Sequence, residues 1–463
     1  MGFMAHDCLG NAVTAADGET LRAVNDFIEG FLAYETRAEG IVRAADRDPA
    51  CCIANVYAGF LWMFLEAPGA PARAAPYIAA AERAAPDVTG RERSSLAVLK
   101  AWAAGDVPAA ILLCDAITDE SPRDLVILKV GQYFEFNRGN FPALLRAALK
   151  VLDENTDIAY VYGMAAFGYE QCHLLDEAEN SARIALTRKR KEPWAQHALA
   201  HVLLTRGRID EGVEFLESVE DTWDGLNSFM STHLWWHMAL FLLSQGHVER
   251  VLGVYDRHCW GVAKDYSQDQ IGAVSLLARM EIAGIDVGGR WSDLAHHLAA
   301  RADDTVLPFL TLQYLYGLAR ADRPEAARLI EAVRRAARAD PEGGVWRDVA
   351  LPAAEGLCAY GRKDYDTAWR RLMQALPRMI EAGGSHAQRD LFDQILLDAA
   401  IKSRRYVTAQ QMLESRRSFD PDGVPVNVAL SRLYDELRLP ALAESARARA
   451  AATRARHRRS AAS

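Results

Sequence analysis

Residues 194–220 read WAQHALAHVLLTRGRIDEGVEFLESVE, and their spacing decides the fold. Leu199, Ala200, Leu203 and Leu204 fall on one face of a helix. Gly207 breaks that stripe, and Gly212, Val213, Leu216 and Val219 resume it on a second helix. A hairpin of two such helices cannot bury its own apolar face, so neighbouring hairpins must cover it. Outward from this stretch, turn signals recur at Gly69, Gly105, Gly139, His173, Gly207, Gly246, Gly284, Ala321, Gly361, Arg404 and Arg438, at steps of 34 to 43 residues.

The period is that of tetratricopeptide and related two-helix repeats. With Gly207 as position 15 of such a unit, Ala200 takes the small position 8, Gly212 the small position 20 and Leu216 the large position 24. Small residues let the helices approach, and the large one fills the gap. Pro108, Pro142 and Pro324 each fall three residues after a turn signal. A first helical turn tolerates proline there because its missing N–H would be unpaired anyway. The expected fold is therefore all-α, an α-α superhelix (solenoid) of about ten tetratricopeptide-like hairpins over residues 21–440. Residues 1–20 are small, polar and weakly patterned and read as a loose leader. Residues 441–463 form an arginine-rich end, either a tail for an anionic partner or a solvated last helix. Steps lengthen after Gly207, which predicts longer helices and loops in the C-terminal hairpins.

Composition narrows the function classes. Of 463 residues, half are apolar and a quarter charged, an ordinary globular balance. The net charge of −9 argues against a large nucleic-acid surface. No apolar run approaches the roughly 20 residues that cross a bilayer, and no signal peptide is visible. Seven cysteines without C-x-x-C spacing suit a reducing cytoplasm. Phosphate-binding glycine loops and the G-x-S-x-G elbow are absent from the sequence.

Histidine placement stands out. His197 and His201 are four apart on the first helix of one hairpin, and His233 and His237 repeat that spacing on the next. The repeat phasing turns His197 and His201, at positions 5 and 9, toward the concave groove. It sends Glu170, at position 12 of the preceding hairpin, and His233 the same way, and Trp235 and Trp236 stand ready to wall a pocket. Three readings remain open. His197 and His201 suit a metal such as zinc, with Glu170 completing the shell. One histidine near neutrality suits acid–base work. All of them also suit buried histidines satisfied by backbone and water.

A second polar cluster, GGSHAQRD at 383–390, opens a helix. Gly383-Gly384 makes a turn and Ser385 a cap. His386, Gln388, Arg389 and Asp390 crowd the first two turns. If the superhelix closes on itself, this helix start meets the His197/His237 surface. His197, His201, His233, His237, His386 and Asp390 are thus the catalytic candidates. Glu170, Trp236, Gln388 and Arg389 are the ligand-binding candidates, with Arg389 pairing with a ligand carboxylate.

Three blocks, WAQHALAHVLLTRGRIDEG at 194–212, HLWWHMAL at 233–240 and GGSHAQRD at 383–390, resemble the tetratricopeptide-repeat protein 38 family and its bacterial relatives. The resemblance spans about residues 20–415 and implies an all-helical superhelix. The sequence reading is then a cytoplasmic repeat protein, without a resident cofactor, binding a small molecule or peptide in its groove. A metal-independent or metal-assisted hydrolase or lyase, and a protein-docking scaffold, are the alternatives. The reading includes no nucleic-acid or membrane partner and allows a homodimer.

Overall fold

The computed structural model describes residues 3–15 and 17–460. Residues 1, 2, 16 and 461–463, with the side chains of Arg458 and Arg459 from the basic end, lie outside the described residues. From Gly18 onward the described chain is built from helices that pack in successive pairs. It is an all-α superhelix of tetratricopeptide-like hairpins, as the repeat phasing predicts.

The turn signals have one physical basis. Gly105, Gly139, His173, Gly207, Gly246, Gly284, Arg404 and Arg438, all marked in the sequence, adopt the left-handed backbone conformation. For the marks at Ala321 and Gly361 the left-handed residue is instead Asp322 and Lys363, and near Gly69 it is Glu66. At Gly207 the residue's own N–H donates to the Leu204 carbonyl, and the Arg208 N–H donates back to Leu203 at 2.9 Å. Gly246, Gly284, Arg404 and Arg438 repeat that pair of bonds. Each pair satisfies the orphan carbonyls of a helix end and reverses the chain. Pro108 and Pro142 sit in the first turns of the helices Val107–Glu120 and Phe141–Val151, and Pro324 caps Glu325–Ala339. Gly212 is small because a Cβ there would enter the Phe241 ring.

The chain packs as two compact units, where the sequence reads one array over 21–440. The first comprises Met1–Leu199 with Asp221–Met230, the second Ala200–Glu220 with Ser231–Ser463. In the first unit Val24, Phe27, Tyr57, Phe60, Leu99 and Ile127 belong to one continuous core. In the second, Leu397, Leu413, Leu430 and Leu433 fill the last hairpins. The longer C-terminal steps are absorbed partly by π turns at Tyr255–Cys259 and Trp346–Ala350 and by the 3-10 turn Leu376–Ala382.

The ends differ from the sequence reading. Residues 3–15 form an antiparallel hairpin of strands Phe3–His6 and Ala12–Ala15. Val13 and Ala15 are buried, and the Asp7 carboxylate closes the turn by accepting from the Leu9 and Asn11 amides at 2.9 Å each. Arg91, 2.6 Å from Asp124, donates to the Ala12 carbonyl at 3.1 Å and pins the hairpin to the first unit. The loose leader over 1–20 is thus corrected: four-residue strands held by distant Arg91 and Glu92 leave no local pattern. At the other end, Pro440–Ser460 is one helix of the last hairpin. Arg449 donates to Asn427 Oδ1 at 2.7 Å and Arg456 pairs with Asp422 at 3.0 Å, so these arginines bind the chain's own groups.

Gly207 (φ +65°) and Gly284 (φ +84°) separate two effects. A Cβ at Gly207 would strike the Phe419 carbonyl, whereas at Gly284 it meets only the tip of Arg432 at 4.0 Å. Gly284→Ala is expected to cost about 1 kcal/mol of backbone strain, and Gly207→Ala about 3 kcal/mol or more. Urea unfolding followed by circular dichroism measures both; equal costs would contradict this account of the turn.

Candidate functional site

The second unit gathers histidines from three helices. Pro193–Thr205 ends in this unit and carries His201, which is fully buried. Ser228–Gln245 carries His233 and His237 one turn apart, both buried. The third, His386–Lys402, begins with His386. Gly383 and Gly384 both have positive φ, and a Cβ on Gly384 would enter the Phe309 ring. Buried Ser385 then closes a reciprocal cap: its N–H donates to Gln388 Oε1 at 2.9 Å, and the Gln388 N–H donates to Ser385 Oγ at 3.3 Å. That geometry fixes where the helix starts, and so where His386 stands.

The rings converge. Centroids lie 4.5 Å apart for His201 and His237, 4.9 Å for His233 and His237, and 5.3 Å for His201 and His386. One ring nitrogen from each of His201, His233 and His237 lies within 4.8 Å of the others, and a ring nitrogen of His386 lies within the same reach of His201. Trp236 stacks flat on His233 at 5.3 Å and meets His237 edge-on at 4.9 Å. Trp235, expected as a second wall, stacks instead on His258 at 3.9 Å. Thr232, one residue before His233, donates to buried Asp269 at 3.2 Å. Burial, and then neighbouring His201, push the His233 imidazole down to about 3.

A charge network braces this ring cluster. Arg279, on Ser267–Ile282, is almost fully buried. Its Nη2 donates to the Ala387 carbonyl at 2.7 Å, and its guanidinium lies 5.3 Å over the Trp236 ring. Asp390 accepts from both Arg416 nitrogens, at 2.6 and 3.0 Å, and from Gln394 at 2.7 Å. Burial works against its ionisation, but Arg416 and Arg279 outweigh it and hold the carboxyl well below the usual carboxylate range. Asp393 sits beside that charge, and burial together with Asp390 pushes it up to about 6. Burial lowers Arg279 to about 10, so it keeps its charge at neutral pH.

The other predicted site residues also have bonds within the chain. Asp390, a catalytic candidate of the sequence, is bonded to Arg416 and Gln394, with Arg279 3.8 Å away. The Gln388 carbonyl oxygen belongs to the helix cap, and Arg389 Nη1 donates to the Gly384 carbonyl. Glu170 and His197 belong to the first unit. There buried Glu170 accepts from Gln171 at 2.6 Å, and His197 stacks on Trp194 at 4.6 Å and against Phe167. The sequence reading omits Arg279, Asp393 and Arg416. Arg279 carried a signal, a lone charge inside the apolar run Leu276-Leu277-Ala278-Arg279-Met280. Asp393 and Arg416 look like ordinary surface charges and carried none.

No family model matches the sequence. Among solved structures, the chain is similar to a human IFIT1 dimer with m7Gppp-AAAA. Identity is 11%, with 94% of each chain covered and a TM-score of 0.44. It is also similar to a Naa15/Naa10 complex bound to HypK-THB, at 12% identity, covering 92% of this chain and 68% of that one, with a TM-score of 0.25. A third is the P58(IPK) TPR domain, at 14% identity, covering 78% of this chain and 92% of that one, with a TM-score of 0.22. Likenesses this shallow assign no ligand to the present chain.

Two expectations follow. Folded His233 stays neutral while the unfolded imidazole takes up its proton below about 6.5. Its contribution to stability is therefore lost as pH falls from the ordinary imidazole range toward 3, by up to ~1.4 kcal/mol per pH unit. Denaturant titrations at pH 7, 5.5 and 4.5 check this: His233→Gln removes that share of the slope, and an unchanged slope refutes it. Arg416→Gln leaves Asp390 without its bidentate partner. The pair is about one-third exposed, so the expected loss is ~1–3 kcal/mol rather than the larger figure of a dry pair, read from the same unfolding curves.

Proposed function

We propose that this repeat protein binds a small molecule at the histidine cluster of its second unit. His201, His233, His237 and His386 line the site, Trp236 walls it, and Arg389 attracts an acidic group on the ligand. The observation that carries this reading is the convergence of four imidazoles from three helices at ring separations of 4.5 to 5.3 Å. Packing alone does not favour it, because each imidazole desolvates polar nitrogens that an aliphatic side chain would not bring. The three blocks that resemble the tetratricopeptide-repeat protein 38 family support it too: the first holds His201, the second His233 and His237, the third His386. We extend that resemblance to membership as part of the proposal.

In the hydrolase or lyase alternative the same histidines would do acid–base work, with Asp390 held by Arg416 and Gln394. No helix among the described residues is long and apolar enough to cross a membrane. We take the cytoplasm as the compartment in which the cysteine usage makes sense.

Thermal-shift screening against small mono- and dicarboxylates, phosphates and amino acids tests the reading. The full-length protein is expected to be stabilised by at least one compound class. His201→Gln and His386→Ala are expected to keep the far-UV circular dichroism of the parent and lose that stabilisation. Retained stabilisation in both variants would move the site elsewhere; unfolding of both would make these histidines structural.

A further inference from the structure

We infer that the second unit binds one divalent transition-metal ion through the imidazoles of His201, His233 and His237. This deepens the proposed ligand site and rests on that site being where the protein binds. The donor geometry comes first. Metal–imidazole bonds are about 2.0–2.1 Å, so nitrogens sharing a tetrahedral ion lie roughly 3.4 Å apart. The three ring nitrogens already lie within 4.8 Å of one another, and small side-chain rotations close the difference.

The scaffold is suited to holding them. His233 and His237 lie one turn apart on Ser228–Gln245, and His201 comes from the neighbouring hairpin. Trp236 stacks on His233 and abuts His237, limiting how either ring turns. Arg279 covers Trp236, and the Thr232–Asp269 hydrogen bond secures the backbone beside His233. Rings oriented by such outer contacts bind metal more tightly than mobile ones.

The donor types select the metal class. An all-nitrogen set suits zinc, copper, nickel or iron and disfavours magnesium and calcium, which need oxygen ligands. His386, 5.3 Å from His201 between ring centroids, stands beside the trio on a separate helix. The metal thus gives the proposed ligand its anchor, and His386 and Arg389 its polar surroundings.

The test uses untagged, chelator-treated, full-length protein titrated with Co²⁺, with visible absorption as the readout. The expected result is a ligand-field band that saturates at one equivalent, is displaced by Zn²⁺, and accompanies a higher melting temperature. His237→Gln is expected to weaken Co²⁺ binding by roughly 100-fold or more, since even outer contacts are worth 10- to 100-fold. A His296→Ala/His297→Ala control, replacing the exposed His296 and half-buried His297 of Arg290–Leu298, is expected to bind as the parent does.

X-ray absorption on the Zn²⁺-loaded parent needs no variant to fold, and at least three imidazole scatterers are expected. No saturable band at one equivalent, fewer than two imidazoles, or a band lost only in the His296/His297 control each overturns the metal site. The chelated parent separates the two readings. If carboxylate or phosphate stabilisation survives without metal and is lost in His386→Ala, the small-molecule site stands and the metal does not.

Discussion

One buried guanidinium ties the candidate site together. Arg279 donates to the Ala387 carbonyl, lies over Trp236 and stands 3.8 Å from Asp390. It thereby fixes the start of the helix that carries His386 and the ring that packs on His233 and His237. A cation this buried is tolerable only with its partners in place. Asp390, itself clamped by Arg416, supplies the opposing charge, and the carbonyl of the first helical turn supplies the hydrogen bond. The histidines converge because this charged brace holds the loop-to-helix junction at Gly383–Ser385 against Ser267–Ile282.

The repeat was legible because its punctuation is local. A left-handed residue ends the first helix of a hairpin whatever lies elsewhere, so Gly105, Gly139, Gly207, Gly246 and Gly284 announced themselves. Arg404, Arg438 and His173 were found only through the period, since nothing in those residue types demands positive φ. Asp322 and Lys363 were missed by one and two residues for the same reason. The histidine pairs were legible from i,i+4 spacing, and phasing of the hairpins brought out His201 and His233.

What stayed hidden depends on distant parts of the chain. The strands at 3–15 are short and are defined by Arg91, Glu92 and Asp124, about eighty to one hundred and twenty residues away. Asp390 reads as a catalytic group because a polar helix start resembles a binding site. Arg416, on a different helix, turns Asp390 into part of a structural ion pair. Gln388 likewise reads as a contact residue, although its position three after Ser385 is the signature of a capping box. The general lesson is that clustered polar residues at a helix start divide between cap, brace and site, and only the partners decide which is which.

The claim on which the account rests is that the chain returns to set His386 against His201. A double-mutant cycle on unfolding free energy measures this directly, with His201→Gln and His386→Ala singly and together. Side chains in contact couple by about 0.5–3 kcal/mol, whereas independent sites add to within about 0.3–0.5 kcal/mol. The account requires a coupling of at least ~1 kcal/mol between these two distant positions. Strict additivity would contradict it, and with it the site built from both helices.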